Sequence, residues 1–521
     1  MGDISIGTIL LSLTVLYLGY RYIIHLKANP RGLPYPPGPR RWPIIGSLLD
    51  FPKEKPYITL RDMSKKYDSD VLYFDLLGTP VVILSSPKAI NDLLEKRSGI
   101  YSSRPSIPMV DMMGVENILS IMPYNETWKH HRKTFHRYFS AVAVEQYKPQ
   151  HLYEVRSLLK NIYQSSDPVH QSIRFSIAST IFNITYGIKV TSENDQYVGD
   201  IETVLKNFSL AVTFGTFLVD IFPFLKLVPE WFPGAEFKKF ARRSKELLWQ
   251  TRDRPFEFVK KAMKSGTAKP CVAVRMLEDL PNGPEREVEE DEAKSCAVVA
   301  YAGGADTNSV TLEIFILAMI LFPEVQDKAK EELDRVVGPN RLPNFEDRPY
   351  LPYMEAVVKE LLRWEMVAPM SLAHATTTSD EYNGYYIPQG AIVMPNTWAI
   401  LHDPEIFPEP EKFKPERYLT EDGKLRTDLP IDPSHIAFGY GRRMCPGRFF
   451  AHNTLFINIS SVIHVFDIQK SKDENGNLIP VHVNMRDGLV AYPDHFDCSL
   501  TPRSTLAESL IMTEAMAVDP Q

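Results

Sequence analysis

Ten residues near the C-terminal end constrain this chain more than any other stretch: Phe438-Gly439-Tyr440-Gly441-Arg442-Arg443-Met444-Cys445-Pro446-Gly447. Glycines on both sides of one cysteine permit a tight turn and a close approach of backbone to the sulfur. Backbone N–H groups in such a turn can point at the sulfur and stabilise its thiolate. A helical pattern follows from Arg448 to Val462, and its N-terminus would bring the positive end of a helix dipole near Cys445. With an arginine close by, the setting is electropositive and suits a soft metal ligand. The plain alternative is a buried structural cysteine in a glycine-rich loop.

The other cysteines leave Cys445 to act alone. Cys271, Cys296, Cys445 and Cys498 are too few and too scattered for a disulfide framework. None sits in a C-x-x-C pair, which argues against structural zinc and thioredoxin-like chemistry, and isolated thiols suit a reducing compartment. A length of 521 residues could bury one large core or two or three ordinary ones, since domains commonly run roughly 100–200 residues. A hydrophobic content of 44% and a charged content of 24% are those of a globular chain. The net charge of −7 excludes nucleic acid as a bulk partner, because phosphate binding needs a positive field.

The N-terminus carries the targeting signal. Ile4 to Leu26 is apolar, interrupted only by Arg21 and His25, and a helix of about 20 residues crosses a bilayer. Asp3 precedes the stretch, while Arg21, Lys27, Arg31, Arg40 and Arg41 lie at or beyond its end. The positive-inside bias then leaves the remainder in the cytosol. A cleaved secretory signal is the competing reading, weakened by the missing basic start and the lack of a small-x-small cleavage site. The expected organisation is a membrane anchor over 1–30, a proline-stiffened hinge over 31–56, a main body over 57–503 and a disordered tail over 504–521. Strands are expected near Val71–Leu77 and Pro80–Leu84, and helices over Leu312–Leu321, Glu324–Val336 and Met354–Trp364. Sequons at Asn125, Asn183, Asn207 and Asn458 would go unused in the cytosol.

The cysteine loop fits F-x-x-G-x-R-x-C-x-G at every fixed position and resembles the haem-binding signature of the cytochrome P450 superfamily. Further motifs of that family occur in order. Glu360 and Arg363 form E-x-x-R on one helix face. Alone, such a pair is usually a solvated salt bridge worth under about 1 kcal/mol. Lys414-Pro415-Glu416-Arg417-Tyr418 resembles the P-E-R-F element, with Tyr in place of Phe. The resemblance implies that Arg417 joins Glu360 and Arg363 in a buried network bracing the haem loop.

Trp128 and Arg132 give W-x-x-x-R, again one helical face. The resemblance makes them partners of a haem propionate, with Arg443 and His374 as further partners and Phe438, Gly439 and Gly447 at the cofactor. An ordinary buried histidine is the alternative for His374. Ala302-Gly303-Gly304-Ala305-Asp306-Thr307 lies in a helical pattern from about Glu292 to Leu321. Two glycines inside a helix cost about 1 kcal/mol each relative to Ala, so close approach of a ligand is the expected compensation. By resemblance, Asp306 and Thr307 are the oxygen-activating pair, Asp306 relaying protons from solvent. The helix of Trp128 also carries Lys129, His130, His131, Lys133, His136 and Arg137. Such a basic patch on an acidic protein suits an acidic docking partner, or is simply a solvated face.

The resemblance spans nearly the whole chain and implies a mainly α fold with a small β-rich part. Its branch-level features look like fungal microsomal enzymes of secondary metabolism. The implied function is a haem-thiolate monooxygenase, with haem b on Cys445, O2 as oxidant and electrons from NADPH through a flavoprotein reductase. It would work at the endoplasmic reticulum membrane. The segments that would line the substrate cavity are Tyr101–Met122, Phe208–Phe222, Val298–Thr307, Val367–Leu372 and Arg486–Val490. They are mostly apolar, so a terpenoid, steroid, polyketide or aromatic fits better than a sugar. A haem-thiolate isomerase or dehydratase acting on a peroxide without a reductase, or a non-enzymatic haem sensor, are the alternatives.

Overall fold

Val71–Leu76 (β1) and Thr79–Leu84 (β2) pair antiparallel, close to the expected strands. Leu77 and Gly78 between them both take positive φ, as the tight hairpin that matches strand twist requires. The computed structural model describes residues 29–165, 167–190, 195–213 and 215–514. The expected anchor helix at 4–26 lies outside the described residues.

The chain forms two compact units, one ending at Pro105 and resuming over Ala373–Asn396, the other comprising Ser106–Leu372 and the chain from Thr397. The strand Ile392–Pro395 returns to pair with β2, a long-range pairing that local pattern cannot reveal.

The first unit holds helix α1 (Pro56–Lys66) and a four-stranded sheet. After β1 and β2 come β3 (His374–Ala375), β4 (Asp380–Tyr382), β5 (Tyr385–Ile387) and β6 (Ile392–Pro395). The sheet order is β1-β2-β6-β3, with β2 and β6 parallel and the other pairs antiparallel. β4 and β5 make a separate hairpin across Asn383-Gly384, both at positive φ.

The second unit is helical. Its principal helices are α2 (Glu126–Phe139), α3 (Lys148–Gln164), α4 (Val169–Tyr186), α5 (Glu236–Ser265), α6 (Arg286–Leu321), α7 (Pro323–Val336), α8 (Pro352–Trp364), α9 (Arg448–Val465) and α10 (Thr505–Glu514). Four short strands complete it: β7 (Phe466–Lys470) pairs with β10 (Cys498–Pro502), and β8 (Met485–Arg486) with β9 (Tyr492–Pro493). The expected helix from Glu292 is α6, starting six residues earlier at Arg286. It packs on α4, α9, α2 and α8. From Asn308 to Ile320 every residue of α6 is buried, and from Ile314 onward the stretch is apolar all round, as burial on every side requires. Among the described residues it is the one helix long and apolar enough to cross a membrane, yet 78% of its apolar window is buried in protein. Its lower half shares a core with Leu455, Ile459 and Ile463 of α9 and Val357 and Leu361 of α8. Each such side chain contributes about 1.5–3 kcal/mol.

The expected disordered tail is also corrected. Thr505–Glu514 is helix α10, which buries Ala507 and Ile511, one turn apart, against that same core. Arg156 of α3 holds Glu514 at 3.1 Å. Residues 515–521 lie outside the described residues. Of the sequons, Asn125 caps α2 by accepting from the Trp128 N–H at 2.8 Å, while Asn183 and Asn458 are buried within helices.

Candidate active site

The ends of the cysteine loop meet through a backbone bond, Cys445 N–H to the Phe438 carbonyl at 2.7 Å. Gly439 sits at φ +86°, a region side chains avoid, so the turn requires it. Gly447 serves differently: a Cβ there would lie 3.9 Å from Cys445 Sγ, and its own N–H bonds the sulfur. α9 begins at the next residue, so its N-terminus faces the loop as expected.

Electrostatics separates this thiol from the other three. Burial pushes the Cys445 thiol up, but the Gly447 N–H and the positive charges of Arg132 and Arg448 pull it back. Burial also raises Cys271, to about 11, Cys498, to about 12, and Cys296. Each of those feels a carboxylate instead, Glu278, Asp497 and Glu292 in turn. Only Cys445 among the described cysteines stands in a cationic field, the setting that favours thiolate.

Those two cations come from α2 and from the start of α9, and Arg443 of the loop lies close to the first of them. Trp128 is buried and donates from Nε1 to the Leu119 carbonyl at 3.2 Å. One turn on, Arg132 donates to the Met444 carbonyl at 2.6 Å. The Arg443 guanidinium lies 4.3 Å over the Trp128 ring and donates to the Met122 carbonyl at 2.6 Å. Burial, and after it the Arg132 charge, push Arg443 down to about 9. Burial lowers Arg132 as well. Two desolvated guanidinium groups in mutual repulsion are a natural seat for anionic oxygens.

The brace around Glu360 is fully formed. Glu360 and Arg363 are both 0% exposed and paired through two bonds, 2.8 and 2.9 Å. Arg417 Nε donates to Glu360 Oε1 at 3.1 Å, and the Lys414 N–H to the same oxygen at 2.8 Å. Tyr418 Oη donates to Glu360 Oε2 at 2.8 Å. Arg363 further donates to the carbonyls of Leu401 and Lys412. A buried ion pair persists only with its remaining donors satisfied, and here they are.

On α6 the two glycines have separate reasons. A Cβ on Gly304 would meet Ile181 of α4 at 3.2 Å, so Gly304 serves helix packing. A Cβ on Gly303 would meet nothing within 4 Å. Gly303 and Thr307, one turn apart, are exposed while Ala305, Asn308 and Ser309 are buried. Thr307 Oγ1 donates to the Gly303 carbonyl at 2.7 Å. Gly303 thus leaves open space beside the helix, whereas Gly304 serves packing on α4. Asp306 faces elsewhere, taking the Tyr492 hydroxyl on both carboxylate oxygens at 2.8 and 2.7 Å. Burial raises its carboxyl, and Tyr492 and Arg174 oppose that rise.

Trp128, Arg132, Arg443, Phe438, Gly439, Gly447 and Cys445 thus converge on one loop, and the helix carrying Asp306 and Thr307 packs on the helix that follows it. His374 belongs to the first unit, where it is buried and bonds the Tyr101 carbonyl through Nδ1 at 2.7 Å. Sequence reasoning missed Tyr418 and Tyr492. The first was signalled by the Tyr that replaces Phe beside Arg417; the second had no local signal.

The donor set fits an iron porphyrin: one thiol in a cationic field, with buried guanidinium groups beside it for carboxylates. The fold and site define a haem-thiolate protein. The family model for cytochrome P450 matches residues 36–488, and the chain belongs to that family. It is 43% identical to the cytochrome P450 monooxygenase COX2 of Coprinopsis cinerea, over 94% of this chain and 93% of that one. It is 41% identical to a cytochrome P450 monooxygenase of Armillaria gallica, covering 92% and 94%. Identity to the cytochrome P450 monooxygenase ple1 of Rhodocybe pseudopiperita is 40%, covering 91% of each. The protein is accordingly an oxidoreductase of the monooxygenase type, with haem b held by a cysteine thiolate.

Proposed function

We propose that this enzyme inserts one oxygen atom from O2 into a hydrophobic small molecule of fungal secondary metabolism, with Cys445 as the axial ligand. When bound, the haem supplies oxygen activation, which thiolate ligation favours. Arg132, Trp128 and Arg443 would hold the propionates, while Glu360, Arg363 and Arg417 keep the loop in place. Thr307 presents its hydroxyl on the open face of α6, and Asp306 feeds protons to that side. The observation that carries this reading is the open face of Gly303 and Thr307 on a helix packed against the one that follows Cys445.

Electrons come from an NADPH-dependent flavoprotein reductase docked on α2. Lys129, His130, Lys133, His136 and Arg137 are exposed there, which supports a steered acidic partner. The N-terminal stretch anchors the protein to the endoplasmic reticulum membrane with its body in the cytosol. A second apolar surface supports contact with lipid: Leu218, Phe222, Phe224, Leu227, Trp231 and Phe232 are all exposed within fifteen residues. The test is co-expression with a reductase and product profiling against terpenoid, steroid and aromatic libraries. New oxygenated products dependent on NADPH are the expected result. Turnover of a peroxide substrate without reductase would replace this reading with an isomerase.

A further inference from the structure

A groove of ≈ 380 Å³ lies among the segment that follows α2, the middle of α8 and the first two turns of α9. That volume is within the range that holds a small organic molecule. Ala141, Val144, Val358 and Phe449 give the groove apolar walls. Its acids are already paired. Arg348 holds Glu355 through two bonds, 2.6 and 3.2 Å, Lys359 holds Asp432, and Lys148 holds Glu145. Burial, and after it the charges of Arg348 and Lys359, push the His452 imidazole down to about 4, so it lines the groove as a neutral ring near pH 7.

One polar group of the groove wall is unmet. Asn453 is 5% exposed, and its Oδ1 accepts from Arg348 Nη1 at 3.0 Å. A guanidinium only donates, so this bond fixes which end of the amide is oxygen. The other end, Nδ2, is buried and has no hydrogen-bond partner in the protein. Burying an amide donor without an acceptor is costly.

We propose that this groove binds an uncharged small molecule with a carbonyl oxygen on a flat apolar body, an amide, ketone or lactone, whose oxygen accepts from Asn453 Nδ2. A carboxylate or phosphate meets no spare cation here, because Arg348 and Lys359 are each neutralised by an acid. An amine meets no spare acid for the same reason. The unmet donor therefore selects a neutral acceptor. The occupant also acts on the cysteine loop. The His452 ring meets that of Phe438 at 5.1 Å, and the Phe438 carbonyl accepts the Cys445 N–H. A molecule packed against His452 shifts Phe438 and with it the backbone that carries the thiolate.

The test titrates benzamide, and benzoate as its charged counterpart, into the haem-loaded full-length protein by calorimetry, and measures the midpoint potential of the iron with and without benzamide. Asn453→Asp keeps the oxygen that Arg348 holds and exchanges the donor for an acceptor. Ala141→Trp fills the groove from an exposed position and leaves Asn453 untouched, so it decides the matter if the first variant fails to fold. Benzamide should bind the wild type, with benzoate at least about tenfold weaker. Each variant should weaken benzamide about tenfold, the scale of one buried hydrogen bond. Benzamide should move the midpoint potential of the wild type and of neither variant. Absence of benzamide binding to the wild type, or equal binding to all three proteins, overturns the site. Benzoate binding as tightly as benzamide overturns the ligand class. Groove-dependent binding that leaves the potential where it was overturns the link to the cysteine loop.

Discussion

The Tyr418 hydroxyl donates to Glu360 Oε2 at 2.8 Å, so the residue that departs from the family's P-E-R-F element contributes a bond of its own to the buried brace. Both side chains are fully buried. Tyr418→Phe should lower stability by about 1.5–3 kcal/mol, the range for a hydrogen bond to a charged group. Glu360→Ala should cost more, about 3–5 kcal/mol, because it leaves Arg363 buried without its carboxylate. Thermal unfolding of the two variants checks the order; a Tyr418→Phe protein as stable as wild type would contradict it.

Stability should also depend on His151. It is buried on α3 against Phe450, at 4.7 Å between ring centres, and burial pushes its imidazole down to about 3. The folded value lies below the unfolded one of about 6.5. Its contribution is therefore full above pH 6.5 and is lost as pH falls toward 3, at up to about 1.4 kcal/mol per pH unit. His151→Phe should flatten the fall in melting temperature between pH 6.5 and pH 4. An identical acid limb in both proteins would show that His151 does not carry it.

The two α6 glycines should part company when each is given a methyl group. Gly303→Ala gains helix propensity, about 1 kcal/mol, with nothing in its way. The same methyl lies on the Thr307 face and should slow carbon monoxide binding to the reduced protein. In Gly304→Ala the gain is offset by the 3.2 Å approach to Ile181, so its melting temperature should fall below that of Gly303→Ala. Equal melting temperatures and equal binding rates would refute the assignment of separate roles.

What the sequence made legible was what is local. The loop around Cys445, the E-x-x-R pair and the strands at 71–84 carry their meaning in neighbouring residues, through periodicity and glycine placement. The glycines at 303 and 304 announced a close approach, but not that Gly304 alone meets a neighbour, since Ile181 is distant in sequence. Tyr492 and Arg174 were invisible because their relation to Asp306 is made by β9 and α4 folding against α6. The same holds for the division into two units, which depends on β6 returning to β2. Helix α10 escaped notice because two buried residues, Ala507 and Ile511, are too few to stand out as a pattern.

The central claim is that Cys445, alone of four cysteines, ligates the haem iron. The most direct measurement is the reduced carbon monoxide difference spectrum of Cys445→Ser beside Cys271→Ser, Cys296→Ser and Cys498→Ser. The thiolate-type band should vanish in Cys445→Ser and persist in those of the other three that fold. A thiolate-type band surviving in Cys445→Ser would contradict the account.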